Sequence, residues 1–378
     1  MTLRVGILTY DFHPHIGGQG RVTYDLWRRL RERDDIDVTV ISPARNTLPG
    51  HRTRYAPAQR YGRHPLFSLL ASASIRRWAA GLRLDVLHVN GGPGGVLLLR
   101  DAGVPVVYSL YHTYAQTARL MPGHGWKWPL ARLERSTYAR AARLTASTES
   151  TAASLRDDLR LTAPVDVIPC GVDLEAFHPG DGQRDDDTVL FVGRLDHRKN
   201  AQLLLRAFAL VARRHATARL VIAGTGALER PLRSLASSLG LGGRVTFERF
   251  VSQDGLVRWY QRAALVVVPS LFEGFGLSAA EAQACGACVV ATDSEGLRDV
   301  IADGETGLLV EPAPEALAEA MLGLLGGHAR RSLVGETAQL QARRVYDWRE
   351  ITGRWVQSYH QAAQVETGRY SLSTTIST

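Results

Sequence analysis

Twelve short apolar runs, alternating with amphipathic stretches and interrupted once by a polar linker, constrain this chain more than any other feature. In the first half they are RVGILTY (4–10), DVTVIS (37–42), DVLHVN (85–90), PVVYSLYH (105–112), ARLTAS (142–147) and VDVIP (165–169). In the second half they are TVLFVGRL (188–195), ARLVIAG (218–224), RVTFERF (244–250), ALVVVPS (264–270), CVVATD (288–293) and GLLVEP (307–312). Most lack the apolar–polar alternation of a strand with one wet face. Runs of that kind are covered on both sides, the condition of a parallel sheet flanked by helices. RVTYDLWRRLRER (21–33) and NAQLLLRAFALVARRH (200–215) carry the helical period between strands.

The interruption is GVDLEAFHPGDGQRDDD (171–187), rich in Gly, Pro and Asp, and it reads as a linker. Its last residues, Asp185, Asp186 and Asp187, read as a solvated charge run rather than a metal site. A chain of 378 residues exceeds what one hydrophobic core usually supports. The expectation is therefore two doubly wound, Rossmann-like α/β domains in tandem, residues 1–168 and 169–345. Ligands of such sheets bind beyond the carboxyl ends of the strands, and two facing sheets make a cleft. YDWREITGRWVQSYHQAA (346–363) predicts a late amphipathic helix. Residues 364–378 are polar, Ser/Thr-rich at their end, and read as a disordered tail.

The formal charge of +8 is unevenly placed. Residues 1–180 hold 23 Lys+Arg and 15 Asp+Glu, so 23 − 15 = +8, and the remainder is neutral. A basic half favours an anionic partner, although free use of Arg by a GC-rich genome gives the same count. The three cysteines, Cys170, Cys285 and Cys288, fit a reducing cytoplasm; Cys285 and Cys288 follow a helix and read as buried thiols, not a redox or zinc pair. The N-terminal apolar run is too short for a signal peptide, and no window approaches the roughly 20 apolar residues that span a bilayer.

Four turns after strands could carry chemistry. HPHIGGQG (13–20) lets Gly17 and Gly18 bring backbone amides close to a phosphate at a helix start. GRLDHRKN (193–200) puts Arg194 and Lys199 around a turn, which suits a diphosphate. AGTGALE (223–229) makes a tight turn at Gly224. EGFGLSAAE (273–281) places Glu273 before a helix and Glu281 within it, with the amides of Phe275, Gly276 and Leu277 between. Each alone is also an ordinary turn. Together they fit a ligand that is anionic in the middle and polyhydroxylated at both ends: a diphosphate between a sugar and a ribose. His112, at the end of a first-half strand, is the candidate contact to the transferred group. Paired carboxylates also raise glycoside hydrolysis, but these two would face opposite ends of the ligand. No HExxH, P-loop or serine elbow is present.

With these motifs in this order, the chain resembles the family 4 retaining glycosyltransferases of the GT-B fold, the group 1 glycosyltransferases. The resemblance rests on Pro14, Gly17 and Gly18, on His112, on IPCGVDLEAFHP, GRLDHRKN, AGTGALE, EGFGLSAAEAQACG and GETGLLVEP, and on Tyr346, Trp348 and Tyr359. It implies that helix 346–363 crosses back onto the first domain. It implies that Arg194 and Lys199 hold the donor diphosphate, and that Gly17, Gly18, Gly224 and the Gly274–Leu277 segment line it. Glu273 would bind donor-sugar hydroxyls, Glu281 the ribose, and His112 the sugar near the reacting centre. His112, Glu273, Arg194 and Lys199 are thus the implied catalytic set. No cofactor or metal is expected; the donor would be a UDP- or GDP-linked sugar, and domain closure would exclude water. Cys288 stands where the family often has proline, and SEGLRD (294–299) departs from its Gly-Gly turn, so the sugar pocket is less defined than the diphosphate grip.

The acceptor would bind the basic first domain, with Tyr111 and Trp126 as contacts; a lipid-linked, glycan or small-molecule hydroxyl all fit. MPGHGWKWPLARLERSTYAR (121–140) suits peripheral binding to an anionic membrane, or a helix that packs its tryptophans inward. Nucleic acid is disfavoured. The competing functions are a non-catalytic sugar-nucleotide-binding partner of another transferase and a GT-B phosphorylase or epimerase.

Overall fold

In the computed structural model the apolar runs form two parallel sheets, one in each of two units. The structure describes residues 2–14, 17–43, 48–53, 64–249 and 251–365. The first unit is Met1–Pro169 with Trp348–Thr378, and the second is Cys170–Asp347. The first unit runs β1 (Leu3–Leu8), α1 (Gly18–Leu30), β2 (Ile36–Ser42), β3 (His51–Thr53), α2 (His64–Gly81), β4 (Val86–Asn90), β5 (Val106–Leu110), α3 (Tyr114–Leu120), a 3-10 turn (Gly125–Lys127), α4 (Trp128–Tyr138), β6 (Arg143–Ala146), α5 (Glu149–Asp157) and β7 (Val165–Val167). The second runs β8 (Asp185–Val192), α6 (Ala201–Arg214), β9 (Arg219–Ala223), α7 (Glu229–Ser238), β10 (Val245–Glu248), α8 (Gln253–Arg262), β11 (Ala263–Val268), α9 (Leu277–Ala284), β12 (Cys288–Thr292), β13 (Leu308–Val310), α10 (Pro314–Leu325) and α11 (His328–Val345). The final helix, α12 (Trp348–Ala363), belongs to the first unit.

The strand orders are β3-β2-β1-β4-β5-β6-β7 and β10-β9-β8-β11-β12-β13. Each order reverses once, between β1 and β4 and between β8 and β11, and a crevice opens at such a reversal beyond the carboxyl ends. The central strands are buried along their length: β4, β5, β11 and β12 have no exposed residue. In the second unit, Phe191, Leu204, Phe208, Ile222, Leu265 and Leu324 are fully buried in one core. Each such side chain contributes about 1.5–3 kcal/mol by leaving water.

Three differences from the sequence reading have plain physical causes. The strands stop about two residues early, because the carboxyl-end residues turn into loops: β1 ends at Leu8 and β5 at Leu110. Asp185, Asp186 and Asp187 are not in a solvated linker but open β8, where Asp185 accepts from Thr188 Oγ1, Asp186 pairs with buried Arg331, and Asp187 meets His215. And β3 is a polar three-residue edge strand with no apolar run to announce it.

Helix α12 is fixed to the first sheet by aromatic and polar contacts. Trp355 stacks on His88 at 4.6 Å between ring centroids, and Tyr359 Oη lies 2.7 Å from His88 Nδ1. His88 Nε2 lies 2.8 Å from Ser109 Oγ, which donates to Asn90 Oδ1 at 2.6 Å. The chain enters and leaves the second unit side by side, with Val172 N donating to Tyr346 O at 3.0 Å. Of residues 364–378, Gln364 and Val365 follow α12 in a turn, and the remainder of the tail lies outside the described residues.

Candidate active site

In the second unit, the loops after β8 and β11 meet at the reversal of strand order. Asp196 Oδ1 accepts from Lys199 N at 3.0 Å and folds the GRLDHRKN turn. Asn200, in the left-handed region, then starts α6. The turn aims two cations at one carboxylate. Lys199 Nζ lies 2.6 Å from Glu273 Oε1, and Arg198 Nη1 lies 2.5 Å from Glu273 Oε2. Ser270 Oγ donates to Glu273 Oε1 at 2.6 Å, and Arg198 also donates to Phe272 O at 3.1 Å. Glu273 is 4% exposed. Burial by itself would raise its carboxyl, but Arg198 and Lys199 outweigh that and hold it well below the usual carboxylate range. Burial lowers the Lys199 ammonium, with Glu273 opposing the shift. The charges sum to +2 − 1 = +1, so the cluster is a net cation built to meet an anion.

Two glycines let these loops approach. A Cβ on Gly224 would lie 1.9 Å from Gly193 O, so only hydrogen fits where the loops after β8 and β9 touch. A Cβ on Gly296 would lie 2.1 Å from Glu273 O, and Gly296 has φ +82°. The neighbouring Glu295 carbonyl accepts from Glu273 N at 2.9 Å. The SEGLRD segment is thus packed directly on Glu273.

Three residues beyond Glu273, Gly276 (φ +98°) caps α9. The first amides of a helix have no intrahelical acceptor and attract anions. Ser278 Oγ, in this first turn, is buried and has no hydrogen-bond partner among the described residues. Phe275 is buried and packs edge-on against Tyr346 at 5.5 Å, so it contributes backbone rather than ring to the loop surface. Glu281 lies in the second turn of α9, is 7% exposed, and accepts from Tyr260 Oη at 3.1 Å.

Arg194 is placed differently from Lys199. It is about half exposed and pairs with Asp196 at 3.2 Å. Arg198, which the sequence reading passed over, takes the buried position. The signal was its place beside Lys199 at the close of the turn: the Asp196 bond to Lys199 N tightens the turn and directs both cations inward, while Arg194 precedes it.

In the first unit, Gly17 caps α1 with extended backbone, and Gly18 is the first helical residue, three earlier than the periodicity suggested. Asp11 Oδ2 already accepts from Gly20 N at 3.2 Å, so an acid occupies part of this helix start. Tyr111 and His112 follow β5. Thr151 Oγ1 donates to Tyr111 O at 2.9 Å, and a capping box between Thr113 and Gln116 fixes the next residues. Trp126 is 66% exposed in its 3-10 turn. Among the described residues no group of His, Cys, Asp and Glu is arranged to hold a metal, and the three cysteines are free and buried.

Comparison with known proteins gives the chain's relatives. Residues 175–341 match the family model of glycosyl transferases group 1, and residues 16–176 that of Glycosyltransferase Family 4. D-inositol 3-phosphate glycosyltransferase 1 of Catenulispora acidiphila is 35% identical over 75% of this chain and 74% of its own length. The D-inositol 3-phosphate glycosyltransferase of Frankia alni is 40% identical over 65% of this chain and 67% of its own. Among solved structures, sucrose-phosphate synthase from Thermosynechococcus elongatus superposes with a TM-score of 0.83 at 23% identity, covering 95% of this chain and 98% of that one. Anabaena HepE in complex with UDP-glucose superposes at 0.74 and 18% identity, covering 95% and 99%.

Proposed function

The chain belongs to the group 1 glycosyltransferases of family 4, with the GT-B fold, and transfers sugar from a nucleotide sugar; we propose that it does so with retention at the anomeric carbon, without a required metal, from a UDP- or GDP-linked hexose. The observation that carries this reading is the buried Lys199–Glu273–Arg198 cluster, net +1, four residues before a helix start with an unpartnered buried hydroxyl.

In this reading Lys199 and Arg198 grip the donor diphosphate, and Arg194 reaches it from the rim. Lys199 spends one of its three N–H groups on Glu273, so it retains donors for phosphate oxygens. The amides of Phe275 to Leu277 and Ser278 Oγ take the remaining oxygens. Gly274 and Gly224 give the room. Glu273 keeps the two cations extended and accepts from donor-sugar hydroxyls, while Glu281 accepts from the ribose. The leaving diphosphate then departs into a fixed positive field, already paid for in folding, and charge stabilisation rather than a protein nucleophile lowers the barrier.

The acceptor is read as a phosphorylated polyol hydroxyl of the inositol phosphate kind. The names of the relatives and the +8 charge of residues 1–180 support this. Tyr111 is the better acceptor contact of the two candidates, since Trp126 stands open to solvent. We read the enzyme as cytoplasmic, at the inner face of the membrane; its buried, unpaired cysteines need no oxidising compartment. No helix among the described residues is long and apolar enough to cross a membrane.

Turnover with UDP- and GDP-hexoses and inositol phosphate, in chelator, with the product anomer read by NMR, tests this reading. A product of the donor's own anomeric configuration is expected. An inverted anomer, or turnover that requires added metal, would overturn it, and binding without any turnover would point to the non-catalytic partner.

A further inference from the structure

We propose that the first unit docks on an anionic lipid bilayer through its Gly125–Lys127 turn and α4. Trp126, Trp128 and Leu133 are 66%, 44% and 37% exposed. Helix α4 buries Ala131, Glu134, Thr137 and Tyr138, which leaves the opposite face to Trp128, Arg132, Leu133 and Arg135. The alternative of inward-packed tryptophans is therefore not realised. Both indoles point to water, where large apolar groups cost free energy unless something covers them.

The charge on this face has one sign. Residues 121–142 contain Lys127, Arg132, Arg135 and Arg140 and a single acid, Glu134, which is fully buried. Arg132 and Arg135 have no carboxylate partner among the described residues. Lys127 Nζ lies 5.6 Å from the Trp126 ring centroid and 6.0 Å from that of Tyr114, so ammonium and indole sit side by side. Helix α2 joins the same neighbourhood, with His64 Nε2 3.1 Å from Tyr114 Oη, and adds exposed Leu66 and Leu69.

Exposed indoles with adjacent unpaired cations match the boundary of an anionic bilayer. The rings settle at headgroup depth and the cations meet lipid phosphates. A second copy of the chain fits poorly, because it would set cation against cation. Nucleic acid has no use for the leucines. The proposal is independent of the sugar-transfer reading, and each can fail alone.

The test is sedimentation of the full chain with vesicles of phosphatidylglycerol and phosphatidylcholine in equal parts, against phosphatidylcholine alone. Binding to the mixed vesicles only is expected, with release at about 1 M salt, where the screening length falls to about 3 Å. Trp126→Ala with Trp128→Ala should lower the partition coefficient by about tenfold or more, and Arg132→Glu with Arg135→Glu should abolish binding. Both pairs are at the surface, and unchanged circular dichroism would show that each folds. No pelleting at low salt, or pelleting indifferent to loss of the indoles, would overturn the proposal. So would a dimer in solution that the same substitutions dissociate.

Discussion

Glu134 and His88 are buried in the first unit without a counter-charge, and they pull its stability in opposite directions with pH. Burial pushes Glu134 up to about 8, against hydrogen bonds from Tyr114 N and Tyr138 Oη. Burial pushes His88 down to about 3. Between 6.5 and 3 the unfolded chain binds a proton that folded His88 refuses, so its contribution, present above 6.5, is lost as pH falls. Between 4.5 and 8 folded Glu134 keeps a proton that the unfolded chain releases, so its contribution, present below 4.5, is lost as pH rises. From these two groups stability should fall below pH 4.5, hold level to 6.5, and fall by roughly 2 kcal/mol from there to 8, at about 1.4 kcal/mol per pH unit. Urea midpoints of the first unit's transition read this, and Glu134→Gln should remove the alkaline fall. An equal fall in the variant would contradict the assignment. In the second unit, Ser278→Ala should leave the melting temperature unchanged, because the hydroxyl has no partner to lose. It should weaken nucleotide binding by about tenfold, the worth of one hydrogen bond to a charged group. Unaltered affinity would remove Ser278 from the diphosphate seat. No sequence signal marks Ser278, because its value lies in what the fold leaves unpaired around it.

Strands were legible and many helices were not. All six strand runs of the second half form strands; β11 and β12 are buried along their length and need no periodicity to be seen, while β10 and β13 are partly buried edge strands. Helix α11 was missed for the opposite reason. Its buried face is Arg331, Val334, Gly335, Ala338 and Ala342, small or charged rather than bulky. Gly335 is there for close approach, since a Cβ would lie 2.3 Å from Gly286 O. Loops carry the same lesson. The SEGLRD departure reads as a change of pocket shape, yet its Gly296 is what admits the loop against Glu273. Gly296→Ala should cost about 1–3 kcal/mol through the left-handed backbone and the clash. Differential scanning calorimetry would measure that loss, and nucleotide affinity should fall with it. A variant as stable as the wild type would mean that the loop yields elsewhere and that Glu273 is not held by it.

At the scale of the whole chain, charge and chemistry divide between the units. The first 180 residues carry the entire net charge of +8, with its exposed cations and indoles on one helix face. The second unit, Cys170–Asp347, holds 19 Lys+Arg and 22 Asp+Glu, so 19 − 22 = −3, yet it buries a triad of two cations and one carboxylate. The tandem sheets follow from the repeated strand–helix pattern. The identity of the buried cation does not, because an eight-residue turn with three cations is only resolved by the hydrogen bond that folds it. The most direct measurement is a calorimetric titration of UDP, GDP and ADP and their hexose conjugates into the wild type, Lys199→Met and Glu281→Ala. One nucleotide should bind selectively, and each substitution should weaken it by about tenfold or more. Binding that survives Lys199→Met undiminished, or no binding to the wild type by any of the nucleotides, would contradict the assignment of this cluster as the donor diphosphate site.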